Sequence, residues 1–400
     1  MVWALFGSID SFVSGCMVKK IVLAFDSFKG SLGSDEILPV VERVIRNMLP
    51  ACEVLSYPIA DGGEGTTAAI CSKLGMRRVC CEVHDPLMRP VKAEYAMSED
   101  EKTAVLELAA ASGLPLVPIE RRNPLYTTTL GTGEMIRDAL DRGCNRVILG
   151  LGGSATNDAG MGLLSALGVR FLDRNENELE PCGNSLQYVW RIDDSRLYPA
   201  LHDVCFTLAC DVSNPFAGLQ GAAFVYAPQK GADSEQVALL DKGLRHYADV
   251  LFSHFGVDIR NVAGAGAAGG VAGGLIPFLQ VELKSGVDTI LDILQFRQAL
   301  QGVDLVLTGE GKIDEQTGMG KALSGILREA KLFGVPVIAL GGSVEAIEFL
   351  NAMGFTAVFS IQTEPVSLEK AMQKEFALAN LSSVVVQILR IIQCFGSGKM

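Results

Sequence analysis

Apolar positions in this chain gather in short runs that stop abruptly at small or charged residues. Ile21–Phe25 leads into Asp26-Ser-Phe-Lys-Gly30, and Val54–Ala60 into Asp61-Gly-Gly-Glu-Gly65. Val147–Leu151 leads into Gly152-Gly-Ser-Ala-Thr-Asn157, Leu305–Leu307 into Thr308-Gly-Glu-Gly-Lys-Ile-Asp314, and Val335–Leu340 into Gly341-Gly-Ser343. Short continuous apolar runs bounded by glycine read as strands buried on both faces, each followed by a turn at its carboxyl end. In open parallel sheets ligands bind beyond those ends, and backbone amides at such turns favour anions, so the pattern describes a site for a phosphorylated ligand.

Between the runs the period changes. Ile37, Val40, Val41, Val44, Ile45 and Met48 recur at helical spacing, and a second helix is expected over Thr66 to Leu74, giving a βαβα opening. From about Val79 the strands shorten and alternate with polar residues, at Val79–Val83, Val91–Ala96 and Ala104–Leu108, as in a mixed or antiparallel sheet. Helix Gly133 to Arg142, strand Arg146–Leu149, helix Asn157 to Leu167 and strand Val169–Leu172 follow, then strands Val204–Ala209 and Ala222–Val225. The βα rhythm returns with Leu305–Leu307, helix Lys321 to Leu332, Val335–Leu340, helix Ser343 to Met353, Thr356–Ile361 and a terminal helix through Leu389.

Two strands before the middle segment and three after it make a five-stranded, doubly wound parallel sheet of flavodoxin type, order 2-1-3-4-5. The expected architecture is α/β with two domains: a discontinuous flavodoxin-like domain over 17–85 and 261–400, and an inserted mixed-sheet domain over 86–260. The active site is expected in the cleft between them. The switch point falls between the first and third strands, which sets the Asp26–Lys29 and Glu310–Asp314 turns side by side. Residues 1–16 are expected to lie outside the fold; they are apolar but lack a basic start and contain Asp10, which argues against a signal peptide.

Composition narrows the partners. A length of 400 residues suits two domains, and 49% hydrophobic against 20% charged residues suits a packed α/β enzyme. The net charge of −12 argues against nucleic acid or an anionic membrane as partner, while local lysines or a metal ion still allow a small anion. The ten cysteines include no CxxC pair and the four histidines no HxxxH spacing, so neither a zinc site nor a disulfide framework is expected. Reduced thiols place the protein in the cytoplasm. The uncharged stretch from Asn261 to Val281 is rich in glycine and contains Pro277, and reads as a loop entering a buried helix rather than a membrane span.

Phosphoryl transfer needs amides and lysines around the phosphates, a carboxylate-held Mg²⁺, and a group that orients the acceptor hydroxyl. Asp26, Lys29, Ser31, Asp61, Glu64, Asp211, Glu310, Lys312 and Asp314 supply those types. Any one of them alone has an ordinary structural explanation, since an Asp after a strand commonly caps a helix and a lysine commonly lies in solvent. Their coincidence at strand ends outweighs this. Lys230, in Pro228-Gln-Lys-Gly231, is a second candidate phosphate or carboxylate contact, and Asp211 with Ser213 and Asn214 can hold a hydroxyl or form an Asx turn.

One rival reading is specific. Gly150-Leu-Gly-Gly-Ser-Ala155 fits a dinucleotide fingerprint, with Asp173 after the next strand, which leaves an NAD(P)-dependent hydroxy-acid dehydrogenase as the alternative. Gly264-Ala-Gly-Ala-Ala-Gly269 fits the same spacing but follows no strand, and close backbone packing explains it better.

The ordered set Asp26-Ser-Phe-Lys-Gly-Ser31, Ala60-Asp-Gly-Gly-Glu-Gly65, Leu108-Ala-Ala-Ala-Ser-Gly113, Gly152-Gly-Ser-Ala-Thr-Asn-Asp158, Cys210-Asp-Val-Ser-Asn-Pro215, Pro228-Gln-Lys-Gly-Ala232, Gly264–Gly270 and Thr308–Asp314 closely resembles the bacterial type I glycerate kinases. The likeness runs from about Val18 to about Ile392; Phe25 stands where the family often has Pro. The resemblance implies two α/β domains, one flavodoxin-like and one similar to the restriction-endonuclease core. It implies ATP-dependent phosphorylation of D-glycerate, usually at the 2-hydroxyl; the chemistry of that transfer adds Mg²⁺ as cofactor, the net charge argues against a nucleic-acid or membrane partner, and a homo-oligomer is left open. The division of labour follows from strand-end geometry rather than from the likeness: Lys29 is expected to meet developing phosphoryl charge, and Asp211 or Asp26 the acceptor hydroxyl. Glu310 and Asp314 are expected to hold Mg²⁺. Ser27, Gly152, Gly153, Ser154, Asn157, Lys230 and Lys312 are expected to bind substrate or phosphate, with Asp61 and Glu64 nearby.

Overall fold

The computed structural model describes residues 18–59, 70, 71, 73–318 and 322–396. In chain order the strands among them are β1 (Lys20–Phe25), β2 (Glu53–Pro58), β3 (Arg77–His84), β4 (Pro90–Met97), β5 (Thr103–Glu107), β6 (Arg146–Gly150), β7 (Arg170–Leu172), β8 (Arg191–Asp193), β9 (Cys205–Ala209), β10 (Gln280–Lys284), β11 (Leu305–Ile313), β12 (Val337–Val344) and β13 (Ala357–Ser360). The chain forms two compact units, one built from residues up to Ile59 together with those from Leu291 onward, the other from Ala60–Ile290.

The first unit carries a five-stranded sheet in the order β13-β12-β11-β1-β2, all parallel. Numbered within the unit this is the expected 2-1-3-4-5 order, with the switch point between β1 and β11. Ile21 to Phe25 are fully buried, which is why that strand shows no polar alternation. Helix Ser34–Met48 turns Ile37, Leu38, Val41 and Ile45 into the core. Helix Lys374–Gly396 meets the same cluster with Leu381, Val385 and Leu389. That last helix is long and apolar enough to cross a membrane by length and composition, but its inner face is committed to this core.

The second unit is built on a six-stranded sheet, order β10-β9-β6-β5-β4-β3. β3, β4 and β5 pair antiparallel, whereas β5, β6, β9 and β10 pair parallel, so the expected mixed sheet is present. Helix Ser234–Phe255 supplies Val237, Leu240, Leu244, Tyr247 and Leu251 to its core. That helix opens with Asp233 accepting from the Gln236 amide and Gln236 accepting from the Asp233 amide, a reciprocal cap.

Several expectations need correction. The unit boundaries lie outside 86–260, because β3 pairs with β4 and β10 with β9; hydrogen bonding draws residues before 86 and after 260 into the inserted sheet. Ala222–Tyr226 is a helix rather than a strand. Its run is too short for periodicity to separate the two, and alanine favours the helix. β7 pairs only with β8 in a separate two-stranded ribbon. The helix expected over Asn157 to Leu167 covers only Met161–Ala166, after a left-handed Gly160. Neither β11 nor β12 stops at its first glycine, since Glu310 pairs with Gly341 and Lys312 with Ser343. Gly309 and Gly341 permit this continuation, because a Cβ on Gly309 would lie 2.3 Å from the Leu340 oxygen and one on Gly341 2.8 Å from that of Ser343. The helix after β12 accordingly starts at Ile347.

Candidate active site

At the switch point of the first unit, the Asp26 amide donates to the Gly309 carbonyl at 3.0 Å, carrying the β1–β11 pairing one step past β1. The Asp26 carboxylate is buried and accepts from the Ser27 amide at 2.6 Å. The chain then turns through Ser27 and Phe28 to Lys29 and Gly30, which are exposed, with Gly30 left-handed at φ 79°. Gly311 lies under this turn: a Cβ there would meet the Lys29 amide nitrogen at 3.2 Å. The two segments expected side by side are therefore adjacent.

Beyond Gly309 the second segment is a strand, so its side chains alternate. Glu310 is buried and accepts from the Thr317 hydroxyl at 2.7 Å. Lys312 is exposed, with its ammonium 3.4 Å from Asp314 Oδ2 and 3.2 Å from Glu345 Oε1. Hydrogen bonds to Glu345 and then to Asp314 hold that ammonium above the ordinary lysine pKa, so it stays charged. The Asp314 amide donates to Thr317 Oγ1 at 3.1 Å. Asp61 and Glu64 lie outside the described residues, as do residues 66–69 and 72 of the helix expected over 66–74; residues 70, 71, 73 and 74 are helical.

The second unit builds a different centre beyond β6. Gly152 and Gly153 are exposed, with Gly153 left-handed, while Ser154, Thr156, Asn157 and Asp158 are buried. Gly153 and Ser154 pair with the 112–114 segment: Leu114 donates to the Gly153 carbonyl, and Ala155 to that of Ser112. Lys230 is 2% exposed and donates to Ser154 Oγ at 2.7 Å and to the Thr156 carbonyl at 2.6 Å. It holds the turn from inside.

Asp158 explains how an ammonium survives there. Burial pushes its carboxyl above the usual range, but Thr129 N and Oγ1 and the amides of Gly160 and Gly162 all donate to it. Four donors fit only the carboxylate. Burial in turn drives Lys230 down to about 7, partly offset by the Asp158 charge. Asn157 is fully buried, and both polar atoms of its side chain, like Thr156 Oγ1, find no partner among the described residues. Buried amides are seldom left so, and this orphaned pair marks the turn as a place where a polar group is accommodated.

Asp211 lies just beyond β9 and is exposed, and its Oδ1 accepts at 2.7 Å from the amide of Gly286, the first residue of helix Gly286–Ile293. The side chain thus caps a helix from another segment, a role neither the catalytic nor the Asx-turn reading foresaw. Asn214 is held by Gln220 and Tyr226. Sequence reasoning also missed Thr317 and Asp158. Asp158 closes a quoted motif, and Thr317 stands three residues after Asp314, a spacing that signals side-chain capping.

The dinucleotide alternative is not built. The glycine turn does not open a helix, which begins only at Met161, and Asp173 follows a strand outside the main sheet. Asp173 instead closes its own loop, accepting from the amides of Asn175 and Asn177. Without a helix N-terminus there is no seat for a pyrophosphate.

Among the described residues no group of three or more His, Cys, Asp or Glu side chains is arranged to hold a metal. Glu310 and Asp314 are nonetheless of the donor type that Mg²⁺ takes, one or two carboxylates with substrate phosphates and water, and Thr317 Oγ1 links the Glu310 side chain to the Asp314 backbone.

Comparison with known proteins agrees with this geometry. A model described as the glycerate kinase family matches residues 21–393. The glycerate kinase of Bacillus cereus is 47% identical over 353 residues, 88% of this chain and 93% of that one. The glycerate 2-kinase of Escherichia coli is 43% identical over 355 residues, with the same shares. A crystal structure assigned as glycerate kinase 2 from Salmonella typhimurium superposes with a TM-score of 0.86 at 40% identity, covering 94% of this chain and 99% of that one. Fold and relatives define a kinase, a phosphotransferase with an alcohol group as acceptor. The chain belongs to the glycerate kinase family.

Proposed function

We propose that this enzyme transfers the γ-phosphoryl group of ATP to the 2-hydroxyl of D-glycerate, giving 2-phosphoglycerate and ADP, in the cytoplasm. The observation that carries the reading is the junction of β1 and β11, where Lys29 follows one strand end and Glu310, Lys312 and Asp314 line the other. A parallel sheet brings an exposed lysine turn and two carboxylates to adjoining strand ends there, and phosphoryl transfer calls for those residue types.

In this reading Lys29 approaches the oxygens of the transferring group, where charge develops, and Ser27 supports the same turn. Glu310 and Asp314 hold Mg²⁺, which when bound neutralises phosphate charge. Lys312, kept protonated by Glu345 and Asp314, adds a fixed positive charge. Asp26, at the β1–β11 strand ends beside Lys29, orients the acceptor hydroxyl; Asp211, which caps helix Gly286–Ile293, is the second candidate. Within the second unit, the Gly152–Asn157 turn is suited to an anion such as a carboxylate, with Gly152 and Gly153 offering backbone and Lys230 keeping Ser154 and Thr156 in place. The choice of the 2-position rests on the family resemblance and on the name of the Escherichia coli relative.

ATP consumption in the presence of D-glycerate, with the product read by phosphorus NMR, tests the proposal. Nucleotide-dependent 2-phosphoglycerate supports it; 3-phosphoglycerate overturns the position, and no turnover with any nucleotide overturns the reaction.

A further inference from the structure

We infer that Thr317, through a single hydroxyl, is the positioning residue for the Glu310 carboxylate and for the backbone that carries Asp314, the two residues that the reading above gives to the metal; the inference rests on that reading. Thr317 is fully buried. Its Oγ1 donates to Glu310 Oε1 at 2.7 Å and accepts from the Asp314 amide at 3.1 Å. A hydroxyl has one proton and two lone pairs, so it can give to a carboxylate and receive from an amide at once. Here it does both.

The placement has a consequence for each partner. Glu310 sits on a strand, where its carboxylate has several rotamers open to it, and the hydroxyl selects one. Asp314 stands at the bend into the single turn Glu315–Gly318, and the turn is closed twice, by the Thr317 amide giving to the Asp314 carbonyl at 3.0 Å and by the Asp314 amide giving to Thr317 Oγ1. One residue therefore sets the side chain of Glu310 and the backbone of Asp314. Groups that hold metal ligands in place commonly govern metal affinity about 10–100-fold without touching the metal.

The test compares Thr317→Val, which keeps the shape and loses the hydroxyl, with Thr317→Ser, which restores it, and with Glu310→Gln. Mn²⁺ affinity of the nucleotide-free protein is read by electron paramagnetic resonance, and kcat and KM for D-glycerate at saturating and limiting Mg²⁺. The expected result is Mn²⁺ affinity lower by about tenfold and kcat lower by about 10–100-fold in Thr317→Val, KM for glycerate within about twofold, and recovery in Thr317→Ser. If Glu310→Gln weakens Mn²⁺ and Thr317→Val does not, the positioning role is overturned while the metal reading survives. If Glu310→Gln leaves Mn²⁺ affinity and kcat unchanged, the metal reading falls and takes this inference with it. Should Thr317→Val fail to fold by circular dichroism, Thr317→Ala carries the same comparison.

Discussion

The buried ammonium of Lys230 donates to the Thr156 carbonyl oxygen at 2.6 Å, joining the segment after helix Ala222–Tyr226 to the turn beyond β6. A cation without solvent is costly unless it is well paired, and here the Ser154 hydroxyl and the Asp158 charge share the task.

The pH dependence of stability follows from that burial. Lys230 ionises near 7 in the native protein and at the ordinary 10.5 when unfolded, so between those values the unfolded chain binds more protons. Stability attributable to this residue rises with pH across that window, by up to about 1.4 kcal/mol per unit, and is flat below it. Urea unfolding of the wild type and of Lys230→Met at intervals from pH 6 to 9 checks this: the wild type gains on the variant above pH 7. Parallel curves would mean that Lys230 keeps an ordinary proton affinity.

Asp211 can be divided into structural and catalytic parts. Asp211→Asn keeps an acceptor for the Gly286 amide, while Asp211→Ala removes it and costs about 1 kcal/mol, as loss of a helix cap does. With Asp26 as the orienting carboxylate, Asp211→Asn retains kcat within a few-fold, whereas Asp26→Asn loses about 10²-fold or more. Steady-state kinetics with the reverse ranking would exchange the two roles.

Gly269 should tolerate no side chain. Its φ is 72°, and a Cβ would fall 2.1 Å from the Thr156 carbonyl oxygen and 2.7 Å from the Asn157 Cα. Gly269→Ala is expected to destabilise by about 2 kcal/mol or more and to raise KM for glycerate by displacing the turn. Chemical denaturation and initial rates measure both, and a variant of native stability would show that the backbone yields there.

Much of this was legible in the sequence because the central strands of the first unit are buried on both faces and end at recognisable turns. Five such strands and one insertion leave few topologies, and the observed order is the expected one. The strand ends were less legible. Glu310 and Lys312 read as turn residues because glycine usually marks a break, whereas Gly309 and Gly341 let β11 and β12 run close together and continue. β10 escaped notice because its residues are half-exposed at the sheet edge and its run contains two charges. The capping role of Asp211 depends on Gly286, far along the chain, and no local pattern could report it. Lys230 read as a ligand contact because buried lysines are rare, and nothing in its neighbours signals the carboxylate at 158.

The central claim is that the Asp26–Lys29 turn and the β11 carboxylates serve one phosphoryl-transfer step. A double-mutant cycle on kcat for D-glycerate with Lys29→Met and Glu310→Gln measures it most directly. The account predicts a loss of about 10²-fold or more for each single change and a double variant only slightly worse than either, because groups acting on one transition state are not additive. Losses that multiply, or a Lys29→Met enzyme of full kcat, would contradict it.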